Sequence, residues 1–191
     1  VNERNEARYW DPIPHLGAVL AATTRPDPDA IFRGQWLERN WRNVPGPIYG
    51  AMTDNCWTGR LHAPRHVLYG DDLEYEQEFL YRQPRDVAEL RAVVDAVEQD
   101  PWAGWACDGD RHWTPGLVRE WWRDRGRLRD WITTKHSRWS ISERADEREA
   151  ATGLTDYLAY LDDGLEGDLR LYCYFLDNRV SPTADDHLPS L

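Results

Sequence analysis

Aliphatic side chains are scarce in this sequence: Leu, Ile, Val and Phe together make up 37 of its 191 residues. With a formal charge of −11, that scarcity borders on the composition of chains too polar to fold. The counterweight is aromatic. The chain holds 11 Trp and 9 Tyr, and each of those rings buries more area than a valine. A fold is therefore expected, with one aromatic-rich core in a single globular domain over 1–191.

Charge and cysteine usage narrow the class. A chain this acidic is poorly suited to phosphate backbones, so nucleic acid is not an expected partner. Long-range attraction favours a cationic protein or small molecule instead. No apolar run approaches ~18 residues, so no membrane span is expected, and no secretion leader is read at the start. Cys56, Cys107 and Cys173 are odd in number and far apart. They fit neither a zinc ribbon nor a disulfide framework, and a reducing cytoplasm is the expected setting. All basic residues except Lys135 are arginines, so surface ion pairs can be bidentate.

Along the chain, residues 1–12 read as an arm docking through Tyr9 and Trp10. A short helix is expected within 13–24, stopped at Pro26-Asp27-Pro28. Asp29 then reads as the N-cap of a helix over 30–43, with Phe32, Trp36, Leu37 and Trp41 on its inner face. Residues 66–70 and 74–82 read as a β-hairpin about Asp71-Asp72. Tyr75, Phe79 and Tyr81 take its buried parity, and Glu74, Glu76 and Glu78 the solvent parity. Asp86 caps a helix over 87–99 with Val87, Leu90, Val94 and Val97 as its stripe. Thr114-Pro115 opens another helix, placing Leu117, Trp121, Leu128 and Trp131 or Ile132 inward, with its register interrupted at Gly126. Trp122 must then point elsewhere and could mark an interface. Two further helices end near Gly164 and Asn178, the second with Leu169, Tyr172, Cys173 and Leu176 facing in. The tail 180–191 is expected to fray. The fold class is therefore α+β, mostly α, with five to six helices packed on one small hairpin.

Chemistry-bearing residues gather in two long irregular segments, 46–66 and 101–114, and long loops inside a compact domain are often functional. In Cys107-Asp-Gly-Asp-Arg-His-Trp113 the ligand order Asp108, Asp110, His112, Thr114 approaches an EF-hand. Trp113 stands where that loop needs Gly, and Arg119 where it needs Glu, which excludes calcium binding of that type. Asp108-Gly109 also serves as a plain turn, and Asp110 or Thr114 as a helix cap. Cys56 as nucleophile, His112 as base and Asp108 or Asp110 as orienting group would make a thiol triad. His62, His66 and His112 have metal-ligating chemistry if the two loops meet.

Tyr49, Asp54, Trp57, Trp102, Trp105 and Trp113 offer ring faces beside carboxylates, as a cation cage requires, and the same rings could equally plug the core. GxGxxG, Walker A, GxSxG and HExxH motifs are absent. The leading expectation is an acidic cytoplasmic binding module for a basic protein, in the manner of an immunity protein, or for a cationic or planar small ligand. The alternative is a small hydrolase or transferase using Cys56, His112 and Asp108, or a metal held by the same loops.

Overall fold

A computed structural model describes residues 8–72 and 75–191. The fold is α+β and mostly α, half of it helical. In chain order the elements are α1 (Ile13–Leu20), α2 (Pro28–Ile31), β1 (Tyr49–Gly50), α3 (Gly59–His62), β2 (Val67–Tyr69) and β3 (Glu78–Leu80). There follow α4 (Val87–Gln99), β4 (Trp105–Ala106), α5 (Pro115–Arg123), α6 (Arg125–Trp139), α7 (Ala145–Asp162) and α8 (Leu165–Asn178). The strands form two antiparallel pairs, β1 with β4 and β2 with β3. Among the described residues no helix is long and apolar enough to cross a membrane.

Local signals account for the helices after residue 86. The Asp86 carboxylate accepts the Glu89 N–H at 2.8 Å, and Leu90, Val94 and Val97 of α4 are buried, whereas Val87 in the first turn is exposed. Thr114 caps α5 by accepting the Leu117 N–H. The break after it falls at Asp124 rather than Gly126, and the inward set of α5 is rotated from the expected one, whereas Leu128 and Ile132 are buried as expected. Val118 and Trp122 are buried, while Leu117 and Trp121 lie at the edge. One position is ~100° of helix rotation, so a one-residue slip exchanges neighbouring tryptophans. Trp122 is thus a core ring, and Trp121 uses its Nε1–H to reach the Trp41 carbonyl at 3.0 Å.

The helix expected over 30–43 does not form. Asp27, not Asp29, caps the four-residue α2, and a 3-10 turn occupies Trp36–Glu38. The backbone here is used elsewhere: Arg33 N–H donates to the Ala103 carbonyl and Gly34 N–H to that of Trp105. A Cβ at residue 34 would stand 2.4 Å from the Gly104 oxygen, so Gly34 permits this close approach. Asn43 then accepts the N–H groups of Gly50 and Leu80 on its Oδ1, at 2.9 and 2.8 Å. Tertiary hydrogen bonds replace the helical ladder, and Leu37, expected inside, is 92% exposed.

In the hairpin Val67 pairs with Leu80, Leu68 with Phe79 and Tyr69 with Glu78. The first residue of its expected second strand, Glu74, lies outside the described residues. Glu78 contradicts the expected parity, being only 1% exposed. The start of α3 covers that face: the Glu78 carboxylate accepts the Gly59 N–H at 2.7 Å, and a Cβ at Gly59 would stand 2.6 Å from it, while Thr53 bonds the strand's backbone edge.

One continuous set of buried side chains runs from Leu16 to Leu176, with Trp105, Trp139, Tyr69, Tyr81 and Tyr157 among its largest members. Trp36, Trp41, Trp121 and Trp131 pack at its margin rather than within it. Buried Arg60 ties α3 to α7 through a bidentate pair with Glu149, at 2.9 and 2.6 Å. The strap at 8–12 docks Tyr9 on Phe175 and Trp10 on His15. The tail expected to fray is hydrogen-bonded: Pro182 accepts the Arg8 N–H, and the Pro189 carbonyl accepts from Arg170.

Candidate ligand face on the joined loops

The two long loops meet. Tyr49 pairs with Ala106 and Gly50 with Trp105, the Ala51 N–H donates to the Gly104 carbonyl, and the Gly109 N–H donates to Pro47. A Cβ at Gly104 would lie 2.1 Å from the Met52 oxygen, so the backbones touch where side chains would hold them apart. The side chains nominated from sequence then separate into distinct groups around this seam.

Asp54, Glu78 and Asp100 form a buried acidic group. Asp100 works as a backbone clamp: its Oδ1 accepts the N–H of Asp54 at 3.2 Å and of Trp102 at 3.0 Å, and its Oδ2 that of Gly104 at 2.7 Å. Burial raises its pKa against those three donors. Glu78 accepts the Gly59 N–H at 2.7 Å, yet burial, with Asp54 and Asp100 adding to it, pushes its pKa up to about 8. The Trp105 Nε1–H lies near enough to favour the ionised form of Glu78 but makes no hydrogen bond of ordinary geometry. Cys56 sits at the exposed margin of this group. A hydrogen bond to Asp54 and the Asp54 charge raise its thiol pKa, which opposes a thiolate nucleophile.

Asp108 and His112 belong to a second group. Asp108 accepts Tyr49 Oη–H at 2.8 Å on Oδ1 and faces His112 Nε2 at 3.1 Å from Oδ2. Burial acts to raise the Asp108 pKa, but these two hydrogen bonds and the His112 charge outweigh it, and the net shift is downward. The His112 ring stacks on Trp36 with centroids 4.9 Å apart. Asp110 leaves this group for α8, where it accepts the Tyr172 hydroxyl at 2.7 Å. Cys56 is therefore engaged by Asp54, and His112 by Asp108. Among the described residues no hydrogen bond joins Cys56 to His112.

The nominated histidines are also dispersed. His66 is buried with Nδ1 against the Arg82 carbonyl at 2.9 Å, and His62 is exposed on α3. Among the described residues no three His, Cys, Asp or Glu side chains are placed to hold a metal ion.

The nominated tryptophans divide by use. Trp105 is fully buried, and Trp113 is buried edge-on to Trp36 at 5.0 Å. Trp57, at φ +59°, stacks on Tyr69 at 4.4 Å, with Arg144 over its ring at 5.2 Å. Trp102 alone of the loop indoles projects, 53% exposed. Asp100 fixes its backbone, and Ala103 behind it is held in the left-handed region at φ +54°. Its ring stacks on Tyr75 at 5.8 Å and borders an open groove of about 510 Å³. Met52 and Gln77 line the same groove with Glu38, Asp71, Arg39 and the Arg42–Asp72 ion pair.

Sequence reasoning overlooked Asp100, Glu78 and Tyr75 as parts of this face. Asp100 had a readable signal, since an Asp two residues before an N–H it can accept is an Asx turn, here on Trp102. Comparison of the chain with models of known families, with curated proteins and with solved structures finds no match.

Proposed function

We propose that this protein is a binding module for a basic polypeptide, which it engages by stacking an arginine of the partner on Trp102 at the groove that this ring borders. One observation carries the reading: the chain covers many of its indoles with its own cations, and of those left uncovered among the described residues, Trp10, Trp102, Trp105 and Trp121, only Trp102 is exposed. Arg39 lies 3.8 Å over Trp36, Arg42 and Arg127 lie 4.4 and 3.9 Å over Trp41, and Arg125 lies 4.4 Å over Trp122. Among the described residues no cation lies over Trp102, although it is the most exposed tryptophan and its loop is locked by Asp100. A rigid, half-exposed indole beside Met and Tyr has the character of an interface anchor, and stacking a guanidinium on it adds cation–π attraction.

The formal charge of −11 supports the choice of partner, since it draws a cationic chain toward the face from a distance. The groove's own charges are mixed, with Glu38 and Asp71 beside Arg39 and the Arg42–Asp72 ion pair, so the attraction rests on the charge of the whole chain and on the Trp102 ring. Unpaired cysteines suit a reducing cytoplasmic setting. The thiol-enzyme alternative has no such support, because Cys56 and His112 are engaged by different carboxylates.

The test is calorimetric titration with nona-arginine at about 50 and 300 mM salt, with Trp102→Ala as the variant. Salt-sensitive binding that weakens about tenfold in the variant is expected. Equal affinity of the two proteins, or no binding by the parent, would overturn the proposal.

A further inference from the structure

On another part of the molecule the strap at 8–12 closes over a pocket of about 290 Å³. Its other walls come from Val44–Gly46, Gln83–Arg85, Tyr160 of α7 and the Asp168–Tyr172 stretch of α8. The lining includes aromatic rings and prolines: Tyr9, Trp10, Tyr160, Tyr172, Pro45 and Pro84. Walls of that kind accept a flat ring from either side, and the volume limits the occupant to about one ring with a short substituent.

The polar groups decide the chemistry of that substituent, because most are already committed. Gln83 Nε2 donates to the carbonyls of Val44 and Ile48, at 3.2 and 2.7 Å. The Tyr172 hydroxyl donates to Asp110, and the Tyr160 hydroxyl donates to Asp168. Asp168 is also ion-paired with Arg85, so these two charges offset each other. Arg8 is different. Its backbone N–H is used by the Pro182 carbonyl, but among the described residues its guanidinium has no ion pair or hydrogen bond. The pocket thus presents one uncompensated cation at the edge of an aromatic slot, within a chain that is otherwise strongly acidic.

We propose that this pocket is a binding site for a small planar aromatic carboxylate, its ring held between the tyrosines and Trp10 and its carboxylate bound by Arg8. A planar guanidinium takes a carboxylate through two parallel hydrogen bonds, which fixes the ring's orientation as well as its charge. An aromatic amine is disfavoured by the same residue. A neutral amide of the same shape keeps the stacking and loses the ion pair.

The experiment is calorimetric titration with benzoate, benzamide and benzylamine, alongside Trp fluorescence to follow Trp10. Benzoate is expected to bind saturably and about tenfold more tightly than benzamide, with benzylamine weakest. Arg8→Ala is expected to bring benzoate down to the benzamide level without changing benzamide binding. Filling the slot from α8 with Leu171→Trp is expected to abolish binding of both. Equal affinities for benzoate and benzamide, a preference for benzylamine, an unaffected Arg8→Ala, or no binding of benzoate would each overturn the proposal.

Discussion

Trp102 and Trp105 stand three residues apart in one loop and have opposite fates. Trp105 forms a rung of the β1–β4 pair, is fully buried, and brings its indole N–H near Glu78. Trp102 is half exposed over an open groove. Between them lie Ala103, in the left-handed region, and Gly104, pressed against the Met52 carbonyl. That reversal of the backbone turns one ring inward and the next outward, and the Asp100 clamp holds it in place. The lesson is that a tryptophan's role here is set by the hydrogen bonds of its neighbours rather than by its own hydrophobicity.

Three measurements would break or sharpen this contrast. The largest effect is expected from Trp105→Ala, which should lower unfolding stability by about 4 kcal/mol. Trp102→Ala should stay within about 0.5 kcal/mol of the parent. Comparable losses in urea titrations would erase the distinction drawn between the two rings. Next comes Asp100→Ala, which leaves the N–H groups of Asp54, Trp102 and Gly104 without their acceptor and should cost about 3 kcal/mol. The same variant should also release Trp102, seen as a loss of its fluorescence anisotropy. An unchanged anisotropy would show that the clamp is dispensable.

The smallest effect concerns Glu78 and pH. Its pKa is about 8 folded, against the ordinary glutamate value of 4.5. Between those values the folded state keeps a proton that the unfolded state has released, so this group's contribution to stability falls as pH rises through the window. Asp100, also raised, acts with the same sign. Glu78→Gln should flatten that slope and exceed the parent by about 1–2 kcal/mol at alkaline pH, while matching it near pH 4.5. Parallel stability curves for the two proteins would mean that Glu78 is ionised when folded.

How much could be read beforehand depended on whether local or distant partners took up the backbone. The Asp86 cap and the apolar spacing after it located α4, and Thr114-Pro115 located the start of α5, because those hydrogen bonds close within one turn. Segment 30–43 looked equally helical. Its amides bind carbonyls some 70 residues away, and only Gly34 hinted at that crowding. The alternation rule misplaced Glu78 because it presumes a solvent face, and the start of α3 at Gly59 occupies that face.

For the candidate site, the two loops were recognisable as the place to look. The grouping within them was not. Asp108 and Asp110 are two positions apart yet serve His112 and Tyr172 on different sides of the chain. Cys56 and His112, coupled in the expectation, are engaged by separate carboxylates.

The strap over the aromatic slot is fastened by few bonds. Arg8 N–H reaches Pro182, Tyr9 N–H reaches the Ser181 hydroxyl at 2.9 Å, and the Tyr9 ring lies against Phe175. The two hydrogen bonds join positions more than 170 residues apart, so the bulk of the chain can remain folded while they part. Opening of this kind is sub-global and costs less than unfolding. The slot can therefore exchange its contents without disturbing the helices, and an occupant would register first as slower hydrogen exchange at the amides of Arg8 and Tyr9.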